Sequence, residues 1–116
     1  MKDFKINKDD IKKLTNNAGA CIVSNRILID GEKVGYMYRE QPTESYNDSG
    51  WRIFAGDETD DYCNNPENFN IVELNTVCNY DESIIAKLDA EIGASYKRYK
   101  CGRLVKACRK KPKVNC

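Results

Sequence analysis

The residues best equipped for chemistry crowd into one short stretch: Asp57, Glu58, Asp60 and Asp61 supply four carboxylates within five positions, soon after the only tryptophan, Trp51. Clustered carboxylates ligate a hard cation, work as an acid–base pair, draw in a basic partner, or simply stand hydrated. A calcium loop of the EF-hand kind needs a glycine at its sixth position and a bidentate glutamate at its twelfth. Counted from Asp57, those positions hold Tyr62 and Asn68, so the pattern fails twice. Acid–base catalysis needs two carboxylates whose pKa values are pushed apart by burial. A polar loop opened by Gly56 favours hydration and full ionisation instead, and no partner nucleophile accompanies it. A solvated loop and a partner surface remain. In the second, Asp48, Asp57, Glu58, Asp60 and Asp61 supply the charge, and Tyr46 and Tyr62 supply aromatic anchors.

The chain contains no histidine. Ser-His-Asp and Cys-His nucleophilic machinery and the usual catalytic zinc sites fall together with it. No glycine-rich phosphate loop is present, so the expectation is a non-catalytic binding module with no metal and no cofactor. Six cysteines stand at positions 21, 63, 78, 101, 108 and 116, and none forms a CxxC pair of the redox or zinc-ribbon kind. Cys21 in "ACIVS" and Cys78 in "NTVCNY" read as small buried apolar groups, and the other four as more exposed. The longest apolar runs, "ACIV" and "ILI", are too short for a signal peptide or a membrane span, which makes the cytoplasm the default location.

A net charge of +1 conceals a division along the chain. Residues 1–95 carry all 18 acids against 10 bases, net −8, whereas residues 96–116 carry 9 bases and no acid. An acidic body steers basic proteins toward itself and repels nucleic acid. The basic tail does the reverse, and gives an alternative reading as a nucleic-acid contact through Lys97, Arg98, Lys100, Arg103, Lys106, Arg109, Lys110, Lys111 and Lys113.

The elements that must hold these residues follow from periodicity. Asn7 is placed to cap a short helix through "INKDDIKKL". "GACIVS" and "RILI" are β-rich, and Asp30-Gly31 before "VGYMYRE" predicts a hairpin that sets Tyr36 and Tyr38 on one face and Met37 and Arg39 on the other. In "WRIFA", Trp51 and Ile53 oppose Arg52 and Phe54. "NIVELNTVCNY" alternates like one long strand, and Asp81 caps a helix carrying Ile85, Leu88 and Ile92 that ends at Gly93. The fold class is α+β: a mostly antiparallel sheet of four or five strands with short helices packed on one side and at the ends. Residues 1–95 form the domain, and residues 96–116 a basic, partly helical and mobile tail.

The strings "ACIVSNRILIDGEKVGYMYRE", "DSGWRIFAGDETDDY" and "IVELNTVCNYDESIIAKLD", in that order between Ala18 and Gly93, resemble successive blocks of a bacterial domain-of-unknown-function family grouped with predicted immunity proteins of polymorphic toxin systems. The resemblance implies a small cytosolic protein that binds and neutralises a toxin domain, or a relative with another, unassigned binding task, and it carries over no catalytic residue. Toxin domains that attack nucleic acid are often basic, so an acidic inhibitor would be steered onto them as substrate is.

Overall fold

A computed structural model describes residues 4–99 and 102–107. Among these residues six strands, β1 (Ala20–Ser24), β2 (Tyr36–Arg39), β3 (Asp48–Phe54), β4 (Phe69–Glu73), β5 (Ser95–Arg98) and β6 (Leu104–Lys106), form one sheet in the order β4-β1-β3-β2-β5-β6. Only the β1–β3 pair is parallel, so the sheet is mixed but mostly antiparallel, with more strands than expected. Three short helices, α1 (Asn25–Leu28), α2 (Asp60–Cys63) and α3 (Leu74–Cys78), and 3-10 turns at Lys8–Asp10, Pro66–Asn68 and Glu82–Lys87 complete the α+β fold.

Period-two alternation divides the sheet into two unlike faces. One carries Cys21, Val23, Met37, Trp51 and Ile53, all fully buried against Ile27, Leu28, Leu74, Val77, Cys78, Ile84 and Leu88. Trp51 anchors this core: its indole N–H donates to the Leu88 carbonyl at 3.2 Å, and the Arg39 guanidinium lies 5.9 Å from its ring centroid. Cys21 and Cys78 are core residues, as their strand-like contexts suggest, and burial pushes both thiols up, Cys78 to about 11.

Several elements differ from the sequence expectation, each for a local reason. "RILI" is not a strand. The Ser24 hydroxyl accepts from the Arg26 N–H at 3.1 Å and starts α1, and Gly31, at φ 79°, donates to the Ile27 carbonyl to close it. The Asp30-Gly31 signal therefore serves a helix C-terminus rather than a hairpin, and β3 separates β1 from β2. The long strand through "NIVELNTVCNY" breaks at Leu74, because Leu74, Val77 and Cys78 recur at three and four and are buried as a helical stripe. The N-terminal helix shrinks to one 3-10 turn capped by Asn7; the chain beyond it is strapped to α3 by Asn75 and Asn79, whose amides bond the backbone of Lys12, Leu14 and Thr15. Asp81 does cap the following segment, a 3-10 turn that buries Ile84 and Leu88 and leaves Ile92 exposed. Within the segment expected as a partly helical tail, the described residues form β5 and β6, which extend the sheet beyond β2.

The feature that positions the second face is a bulge in β3. Ala20 pairs with Asp48 but Ile22 pairs with Arg52, so β3 holds two extra residues at this point. Gly50, at φ 91°, makes the bend, and a Cβ there would collide with the Glu40 carbonyl. Shortening the strand lets Asp48 reach Arg52, which donates to both carboxylate oxygens at 2.9 Å. Asp48 also accepts from the Thr43 and Gly50 amides, and the Glu40 carboxylate takes the Arg52 Nε–H.

Burial alone would push the Asp48 carboxyl up, but the Arg52 guanidinium and the two amides overcome it and hold the group at about 2. Because this native value lies below the unfolded one, the stability it confers is present above about pH 4 and is lost as pH falls toward about 2. Asp48→Asn is expected to cost about 3 kcal/mol in urea denaturation at neutral pH. The variant's remaining stability should also fall less than the parent's across that acid range. Gly50→Ala is expected to cost more than about 2 kcal/mol, since it adds both the clash and a strained φ; Gly93→Ala, with open space around the added methyl, should cost less in the same titration.

Candidate functional site

Among the described residues, the second face of the sheet is bordered by α2 and its following turn rather than covered by a layer of helices. Ile71, Ile22, Arg52 and Tyr38 lie in register across β4, β1, β3 and β2, and Phe54 and Tyr36 form the neighbouring row with Lys97 and Val105. Here the aromatic rings cover one another. Tyr38 stacks on Phe54 at 6.0 Å, and Phe69 stands edge-on to both Phe54 and Tyr62. Ile71, on edge strand β4, is 56% exposed.

Along one side of this face runs the segment from α2 to the Pro66–Asn68 turn, fixed by two asparagines. Asn70 Nδ2 donates to Asn25 Oδ1 at 2.7 Å, and Asn25 Nδ2 donates to the Glu67 carbonyl at 3.1 Å. Between this segment and the sheet lies a cleft of about 400 Å³. Phe54, Phe69, Tyr38, Ile22 and Ile71 give it apolar walls, Cys63 and Asn64 come from the end of α2, and Arg52 and Glu40 contribute charge.

The acidic turn is divided among different tasks. Asp48 has a fully buried side chain inside the Arg52 clamp. Asp57 takes two hydrogen bonds from the Arg26 guanidinium, which holds its carboxyl below the usual range and also pairs with Asp30. Glu58 accepts from the Ala55 and Gly56 amides and so shapes the turn. Asp60 and Asp61 form the first turn of α2, where Thr59 accepts from the Tyr62 amide as N-cap. Both are exposed, and among the described residues no cation pairs with either. Tyr62 is half-buried against Phe69. The Tyr46 hydroxyl is enclosed without a well-formed hydrogen bond, and burial together with the Asp48 charge pushes its pKa up.

Among the described residues, two of the tail's cations are paired with carboxylates of the fold. Arg98 donates to Asp81 at 2.6 Å and to the carbonyls of Val34 and Gly102, and Lys106 pairs with Glu91 at 2.9 Å. Lys97 lies 6.0 Å from the Tyr99 ring centroid, and Arg103 is exposed. Lys100, Arg109, Lys110, Lys111 and Lys113, with Cys101, Cys108 and Cys116, lie outside the described residues. Among the described residues no group of three or more His, Cys, Asp or Glu is arranged to hold a metal ion, and no helix is long and apolar enough to cross a membrane.

The cleft was not singled out by the sequence, although its signal was there: Phe54 and the tyrosine pair fall on the side of their strands opposite Trp51, Ile53 and Met37. The charge around it is one-sided. From Ile53 to Ala86 the chain holds eight acids and no lysine or arginine.

No curated protein and no solved structure matches this chain. Over residues 21–108 the sequence matches the Immunity protein Imm33 domain, a span that takes in α2, the acidic turn, the cleft and nearly the whole sheet through β6. The chain belongs to the Imm33 family of immunity protein domains.

Proposed function

We propose that this domain neutralises its toxin by binding it through the acidic tip around α2, with Asp60 and Asp61 steering a basic toxin surface and Tyr62 backing the contact. One observation carries the reading: these two carboxylates are exposed with no cation bonded to either among the described residues, whereas Asp48 and Asp57 are held by Arg52 and Arg26. An unpaired carboxylate keeps its field available to an incoming partner, and a clamped one is largely cancelled at a distance. Of the five carboxylates in the original set, Asp60 and Asp61 are therefore the steering pair. Asp48, Asp57 and Glu58 set the shape from which they project, and Tyr46 packs behind the clamp.

Steering of this kind acts mainly on the association rate and weakens with salt. With the cognate toxin domain as partner, the double variant Asp60→Lys, Asp61→Lys is expected to associate at least tenfold more slowly at low salt. Its rate should also depend less on ionic strength than the parent's. Rates unchanged by the double reversal, in a variant with an unaltered unfolding curve, would reject α2 as the steering surface.

A further inference from the structure

The cleft beside α2 combines an apolar wall with an uncancelled charge. Arg52 lies at its floor with one formal positive charge, yet Asp48 and Glu40 both bind that guanidinium, so the trio carries a net formal charge of −1. Asp48 is sealed from solvent, whereas the Glu40 side chain is 45% exposed and lines the cleft. Phe69 and Ile71 supply apolar surface next to it, with the covered rings of Phe54 and Tyr38 behind them, and Asp60 and Asp61 sit within one helical turn of Cys63 on its rim. Aromatic faces and an excess carboxylate are complementary to one side-chain type: a long alkyl stem with a cationic head.

We infer that this cleft receives an arginine or lysine side chain from the toxin, its stem laid on Phe69 and Ile71 and its head directed to Glu40. The inference rests on the toxin-binding reading and deepens it: Asp60 and Asp61 attract the basic surface, and the cleft fixes one of its side chains in place. A space of about 400 Å³ is ample for one such side chain and part of the backbone that carries it. An apolar occupant would leave the trio's excess charge unmatched beneath it, and an acidic one would meet it head-on.

The test uses the full chain and amide NMR spectra, with Ac-Gly-Arg-Gly-NH2 as probe and its neutral citrulline isostere as control. The arginine peptide should give saturable shifts at Asn64, Asn70 and Ile71. The citrulline peptide, or the arginine peptide added to Glu40→Gln, should bind at least tenfold more weakly. Glu40→Gln keeps the Asp48–Arg52 pair, and an unchanged spectrum away from the cleft confirms that it is folded. Absence of saturable shifts, or equal response to both peptides, overturns the inference. The cognate toxin domain separates this from the broader reading. Toxin bound with the cleft signals unmoved overturns the cleft alone. A toxin that does not bind overturns the neutralising role, and the arginine peptide then decides the cleft by itself.

Discussion

A guanidinium buried at the centre of the sheet constrains much of what surrounds it. Taking the Arg52 charge out of water costs several kcal/mol unless carboxylates and hydrogen bonds replace the lost hydration. Asp48 can do so only because β3 bulges: on a regular strand a residue four positions away lies about 13 Å distant, well beyond a salt bridge. Gly50 makes the bulge, and the bulge brings Asp48 under Arg52. Asp48 in turn holds the connection between β2 and β3 by accepting from the Thr43 amide. One glycine, one aspartate and one arginine thus tie the sheet's centre to the loop beside it and set the charge of the cleft floor.

The same accounting of partners governs the acidic body. Its nominal −8 overstates the field available to a partner, since Arg98 and Lys106, from beyond residue 95, pair with Asp81 and Glu91, while Arg26 and Arg52, already counted in that sum, fix where their share is cancelled. Among the described residues the carboxylates without an ion-pair partner are spread over the surface, Asp9, Asp10, Glu44 and Glu73 among them, and beside the cleft they are Asp60 and Asp61 at the tip of α2, next to the exposed Glu40 at the edge of the Arg52 trio. Screening shortens the reach of surface charges to roughly 8 Å at physiological salt, so local imbalance matters more to a docking partner than the total.

The composition and the alternation of Trp51 and Ile53 made the α+β class, the tryptophan core and the buried roles of Cys21 and Cys78 legible in the sequence. Caps were legible too, at Asn7 and Asp81, because they rest on one side chain and the amide two residues on. Pairing partners were not. Asp30-Gly31 carries equal meaning as a hairpin turn and as a helix C-terminus, and only the Ser24 cap and the burial of Ile27 and Leu28 decide between them. Leu74, Val77 and Cys78 are spaced for a helix, yet Val72, Leu74, Thr76 and Cys78 are spaced for a strand. The acidic turn showed which residues bear charge but not that Arg26, 31 positions earlier, reaches Asp57. Glu40 and Arg52, whose contact makes the cleft's charge, are separated by a turn whose geometry depends on the bulge.

An aromatic sheet face that, among the described residues, no helix layer covers is a hazard for a free protein, because open apolar surface and a strand edge invite copies to pair. Here the rings limit the hazard by covering one another, leaving Tyr38 and Phe54 less than a tenth exposed. Charge limits it further. Two copies brought cleft to cleft would set Glu40, Asp60 and Asp61 of one against the same carboxylates of the other, at a desolvation and repulsion cost that a cationic partner would not meet. Specificity of this sort comes as much from what is repelled as from what is attracted. On the proposed reading, the charge that opposes pairing of two such faces is also the charge that would select a basic toxin surface, and a change at Glu40 or α2 would then alter both.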